Sequence, residues 1–208
     1  MTRQITGARV AADLPETMTA MGFDDPGGPD VLRPETLPVP EPGENQVLIR
    51  ISHAGINRPD VIQRQGFSPP PPGASPIPGL EVSGTVVAVG KGAAPELINR
   101  RVCALVSGGG YAEYCLAHSA HCLHVPETMS MATAAAIAET LFTVGHNVFE
   151  RGWASDGDTL ALAPRQLHAS LADEGVVPVR ERFDELIAMR DPADLANLFQ
   201  RRRRAREA

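Results

Sequence analysis

The stretch GINRPDVIQRQGFSPPPPGASPIPGLEVSGTVVAVG, residues 55 to 90, decides the fold. Asn57 followed by Pro59 suits the first turn of a short helix that runs to Gln65 and is ended by Gly66. PPPPGAS at 69 to 75 is a turn, and Glu81 to Val89 is a strand stopped by the GKG turn at 90 to 92. Upstream, VLIRIS places Val47, Ile49 and Ile51 on one face and Arg50 and Ser52 on the other, the period of two that marks a half-buried strand.

Working outward, further strands are expected at Met18 to Phe23, Arg101 to Val106, Tyr111 to Ala117 and His121 to Val125, with SGGG at 107 to 110 as a turn. A Pro-rich bridge joins the first of these to VLIRIS, and residues 1 to 17 are polar, unpatterned and expected to be a loose extension. Many short strands at this spacing indicate an antiparallel barrel or sandwich. After Pro126 the pattern changes. Ser130 can cap the run MATAAAIAETLFTVGHNVFER, whose apolar Ile137, Leu141, Val144 and Val148 are spaced for one helix or two short ones. DTLALAP at 158 to 164 reads as a brief strand, followed by amphipathic helices near Arg182 to Met189 and Ala193 to Phe199.

Composition agrees with a mainly β chain. Aromatics are 4% of the 208 residues, while Gly and Pro supply 38, which suits strands and turns better than a helical bundle. The net charge of −6 is uneven, because the last eight residues carry five Arg and one Glu and leave an acidic body. RRRR at 201 to 204 lacks stacking aromatics or a nucleic-acid module around it, so a solvated tail is expected and no nucleic-acid partner. No apolar run approaches the length of a membrane span, and the opening has no secretory core, so no membrane partner and a cytoplasmic location are expected. Three cysteines at no disulfide-like spacing fit reduced thiols.

Residues 55 to 90, together with VCALVSGGGYAEY at 102 to 114, HCLHVPE at 121 to 127 and AAAIAETLFTVGHNVFERG at 134 to 152, resemble the zinc-free quinone oxidoreductase family of the medium-chain dehydrogenase/reductases. The resemblance implies a GroES-like, partly open β-barrel catalytic domain over residues 18 to 160. It also implies hydride transfer from NADPH to a quinone-like small molecule, with the cofactor carrying the chemistry. Metal-dependent relatives carry a Cys near Asn57 and a His in a G-H-E triplet. Here Gly79-Leu80-Glu81 stands at the triplet, and Leu80 cannot ligate zinc, so no metal is expected.

On residue type alone, Asn57 is more simply a helix cap than a ligand contact, and Thr143 more simply bonds back to a helix carbonyl. The resemblance assigns both to the cofactor, Asn57 near the ribose and nicotinamide and Thr143 facing the carboxamide. Ser68 falls where relatives often carry a Tyr in the substrate pocket, which implies a wider, more polar cleft. Cys115, His118, His121, Cys122 and His124 form an alternative metal cluster, opposed by strand alternation, which sends Cys115 and His118 to opposite faces.

In relatives the segment matching DTLALAP leads into a Gly-rich phosphate turn. Residues 161 to 208 contain a single glycine, Gly175, and are expected to be a divergent helical tail in place of the nucleotide-binding domain, with no complete Rossmann unit. Further departures are Asn99-Arg100 for Gly-Asp and Ala138 for the Pro before Glu139. The chain is therefore expected to be a reductase inactive by itself or, alternatively, a non-catalytic β-barrel binding or dimerisation module. Helix surface left without its domain implies a homo-oligomer.

Overall fold

Why the strands lie where they do follows from the central one, β5 (Glu81–Val89), whose residues are buried on both faces except Thr85. A near-continuous apolar run of this kind is stable only when covered on each side. In the computed structural model, which describes residues 9–10 and 14–153, β5 pairs antiparallel with β4 (Gln46–Ala54) along its length. On its other side β6 (Arg101–Leu105) covers Glu81 to Thr85, and β1 (Arg9–Val10) covers Ala88 and Val89. The sheet continues to β7 (Tyr114–His118) beside β4 and to β8 (Cys122–His124) beside β6, in the order β7-β4-β5-β6-β8. Its strands are antiparallel throughout.

One face of this sheet carries a core of Val47, Ile49, Val82, Val86, Val102 and their neighbours. The opposite face carries a second, in which Leu48, Val87 and Ala88 meet Leu14, Met18 and Val39. The two-stranded ribbon β2 (Thr17–Gly22) and β3 (Arg33–Pro38) supplies part of the second cover. Leu48 and Ile49 are both fully buried, so β4 departs from the half-buried alternation expected of VLIRIS. Its register shifts between Leu48 and Ile49 and again between Ile51 and His53, bends that let one strand serve both cores.

Three expectations are corrected. The N-terminal extension is not wholly loose, because Arg9–Val10 pairs with β5 and Leu14 is buried. The Pro-rich bridge contains β3, a ribbon-edge strand, where Pro34 and Pro38 are tolerated. The strand expected from Tyr111 starts at Tyr114, because Ala112 bridges to Ala20 of β2 while β7 proper pairs with β4.

The helices are short. They are α1 (Arg58–Arg64), α2 (Met131–Ala134), begun by Ser130 whose Oγ accepts from Thr133 N–H at 3.0 Å, and α3 (Ala138–Val144). The predicted cap at Ser130 is thus observed, and of the two arrangements the spacing allows, one helix or two short ones, the run takes the broken form. Two units divide the chain between Phe142 and Thr143, and in the second the backbone winds on through wider turns over Gly145–Arg151. The strand expected at 158 to 164, the boundary at 160 and the two tail helices lie outside the described residues.

Candidate active-site wall around Asn57

Asn57 closes the loop after β4 and opens α1 with extended backbone, φ −120° and ψ 159°. Its backbone N–H donates to Asp60 Oδ2 at 2.8 Å, which satisfies one of the orphan donors at a helix start. Its side-chain Nδ2 donates elsewhere, to Glu81 Oε1 at 2.9 Å. The cap position is therefore as the sequence suggests, while the amide is held by a strand residue 24 positions away.

Two buried carboxyl groups converge here. Glu81, 3% exposed, opens β5, and its Oε2 accepts from the backbone N–H of Glu139 at 2.9 Å. Asp60, 4% exposed, accepts from Gly79 N–H at 3.1 Å through Oδ1 and from Tyr111 O–H at 3.0 Å through Oδ2. Four segments distant in sequence thus meet through Asn57, Asp60, Glu81, Tyr111 and the start of α3. Packing around the carboxyl groups is tight: a side chain at Gly55 would strike the Glu81 carboxyl and the Ala135 carbonyl.

Burial pushes the Glu81 carboxyl above its ordinary value of 4.5, against the opposing pull of the Glu139 N–H and the Asn57 amide; the charges of Glu139 and Asp60 add to the rise. Burial raises the Tyr111 hydroxyl above its usual range, helped by the neighbouring Asp60, so it remains a proton donor. Arg64, also buried, is directed away from this cluster to Gly27 O, tying α1 to the loop before β3.

The other candidates stand apart. Ser68 is exposed beyond the end of α1 and is not a partner of Asn57, Asp60 or Glu81. Thr143 is exposed at the start of the second unit, where its carbonyl accepts from Asn147 Nδ2 at 3.0 Å. In the alternative metal cluster, Cys115 is buried on β7 with its thiol pushed up to about 12 by burial, while His118, His121 and His124 are exposed. Among the described residues no three His, Cys, Asp or Glu side chains gather in a metal-holding group.

Residue type and spacing alone do not mark Glu81, Asp60 or Tyr111 as site residues. A signal for Glu81 was present, an acidic residue opening an otherwise apolar strand, since buried carboxylates are rare unless partnered.

Residues 43–127, which hold Asn57, Asp60, Glu81 and Tyr111, match the alcohol dehydrogenase GroES-like domain. Quinone oxidoreductase of Rattus norvegicus is 31% identical over 145 residues, 69% of this chain and 44% of that protein. The GroES-like half of the chain is similar to the N-terminal half of the quinone oxidoreductases of the medium-chain dehydrogenase/reductase superfamily. The chain spans less than half the length of the curated relatives it matches. The synaptic vesicle membrane protein VAT-1 homolog of the same rat is 34% identical over 61% of this chain and 32% of that protein. Among solved structures, the human VAT-1 homolog-like protein superposes with a TM-score of 0.61 at 32% identity, covering 68% of this chain and 46% of that one. A mycobacterial protein solved in complex with NADPH superposes at 0.57 with 34% identity, over 68% and 42% of the two chains. The quinone oxidoreductase family thus accounts for the GroES-like half, with its mostly extended chain, open sheets and few short helices.

Proposed function

We propose that this chain forms the acceptor-side wall of a zinc-independent, NADPH-dependent reductase acting on a quinone or a similar electron-poor small molecule. The observation that carries the reading is the half-buried Asn57, pinned by two buried carboxyl groups within the GroES-like span. NADPH, when bound, supplies the hydride. Asn57 would hold the ribose and nicotinamide end through its amide. Glu81 and Asp60 keep Asn57 in place, and the raised Tyr111 hydroxyl holds its proton beside Asp60.

The pyrophosphate end has no comparable seat among the described residues. The helices α1 to α3 contain at most seven residues, and none opens on a Gly-rich turn of the kind that holds phosphate. Residues 161 to 208 add one glycine. The fit among the described residues is therefore to one end of the cofactor, and tight binding also needs a seat for the pyrophosphate. The alternative, a non-catalytic binding or dimerisation module, is favoured by the same lack of a phosphate turn.

A chimera separates the two readings. Residues 1 to 160 would be joined to the nucleotide-binding segment of the rat quinone oxidoreductase, and NADPH oxidation followed with a quinone acceptor. The expected result is turnover that survives chelation and falls at least roughly tenfold in Asn57→Ala, the scale of one lost polar contact to a bound ligand. The unmodified chain should show no micromolar NADPH binding by calorimetry. A folded, inert chimera would support the module, and micromolar binding by the chain alone would show that it supplies a pyrophosphate seat itself.

A further inference from the structure

Asn57 is held by two different buried carboxyl groups, its backbone N–H by Asp60 and one of its two Nδ2 hydrogens by Glu81. An amide side chain has one donor end and one acceptor end, and turning it over exchanges them. While Glu81 accepts at Oε1, the Nδ2 end must face inward and Oδ1 must turn away from Glu81. The second oxygen of Glu81 is taken by the Glu139 N–H at the start of α3. One carboxyl group therefore sets the polarity of Asn57 and moors the helix entry at once.

We infer that Glu81 is a positioning residue that orients the Asn57 amide, engaging its NH2 end so that Oδ1 is the end turned away from Glu81 and open as an acceptor to a bound molecule. Such an acceptor suits a hydroxyl or N–H on the ligand, as on a ribose or a carboxamide. The inference deepens the cofactor reading of Asn57 and rests on it for the ligand's identity, while the orientation itself is a property of the free chain. Burial of Glu81 makes the control firm, since solvent cannot replace a missing donor at 3% exposure. The groups facing Glu81 are Asp60 and Glu139, with Tyr111 and Cys103 within its electrostatic reach, and a proton on Glu81 would have to be accommodated among them.

Nuclear magnetic resonance on the full chain reads this directly. The Asn57 side-chain NH2 protons should exchange with solvent roughly tenfold or more slowly than those of exposed Asn99, as a hydrogen bond to a charged group requires. On titration, the Asn57 NH2 and Glu139 N–H signals should move together with one midpoint above the ordinary carboxylate range. In Glu81→Gln both responses should be lost, while the N–H signals of Asn57 and Gly79, bound to Asp60, keep their protected positions and report an intact fold. An Asn57 NH2 that exchanges as fast as that of Asn99, or one that ignores the titration in the unmodified chain, overturns the inference without recourse to the variant. Because no readout involves NADPH, a negative result counts against Glu81 and leaves the cofactor reading to the chimera.

Discussion

Glu81 also leaves a mark on stability, and its sign can be worked out. Its pKa is raised in the folded state above the ordinary 4.5, chiefly by burial. Between that value and the raised one, the folded chain holds a proton that the unfolded chain has released. Stability from this group is therefore full below about 4.5 and falls as pH rises through the folded pKa. Glu81→Gln keeps the neutral form at every pH and removes the slope. Any destabilisation by Glu81→Gln should be largest in acid and shrink as pH rises through that window, measured by urea unfolding at a series of pH values. A difference that grows with pH instead would show that the ionised form is the better fit to the site. Asn99 makes a different residue-scale point. Its φ of 64° is the left-handed region that Gly prefers and Asn tolerates better than most residues, so the turn before β6 holds Asn without large strain.

At the scale of elements, the turn before β5 is as important to the site as the strand. Gly79 has φ +101°, and an added Cβ would lie 2.6 Å from Gly110 Cα and 2.7 Å from Tyr111 N. The two loops touch backbone to backbone, and this contact brings Tyr111 O–H and Gly79 N–H to Asp60 together. Gly73 has a similar φ of +84°, with nothing within 4 Å of its Cβ position. Gly73→Ala should thus cost only the left-handed strain, about 1 kcal/mol, and Gly79→Ala that strain plus the clash, more than about 2 kcal/mol. Thermal unfolding of the two variants checks the ranking, and equal losses would show that the loops can move apart freely. Partner exchange explains what sequence pattern missed nearby. Residues 111 to 117 look like one strand because both halves are extended, yet Ala112 bridges to β2 and Tyr114 onward pairs with β4. No local periodicity reports a change of partner. In the same way Pro34 and Pro38 hid β3, since a Pro-rich run reads as a bridge until its place at a ribbon edge is known.

For the whole molecule, the strands of the main sheet from β4 to β8 and the cap at Ser130 were legible, but for the start of β7, because burial on a sheet face and an N-terminal oxygen acceptor leave short-range marks in sequence. The carboxyl cluster was not, since it joins residues up to 58 positions apart, as Glu81 and Glu139 are. The remaining whole-chain question is self-association. Ile137, Leu141 and Phe142 are only half-buried, and fully burying a side chain of this size stabilises by about 1.5 to 3 kcal/mol. Half of that for three residues in each of two copies is on the order of 6 kcal/mol, still short of the about 8 kcal/mol behind a micromolar Kd once the cost of association is added. These helix residues cannot hold two copies together alone, and a dimer must draw on further apolar surface. Residues 165 to 208 supply it in sequence, with Phe183, Leu186, Ile187, Leu195, Leu198 and Phe199. We therefore expect sedimentation at micromolar concentration to show a dimer or larger species, and deletion of residues 165 to 208 to return it to monomer. A full-length chain that sediments as a monomer, with stability unchanged by that deletion, would rule out both the second copy and the tail as the cover for these residues.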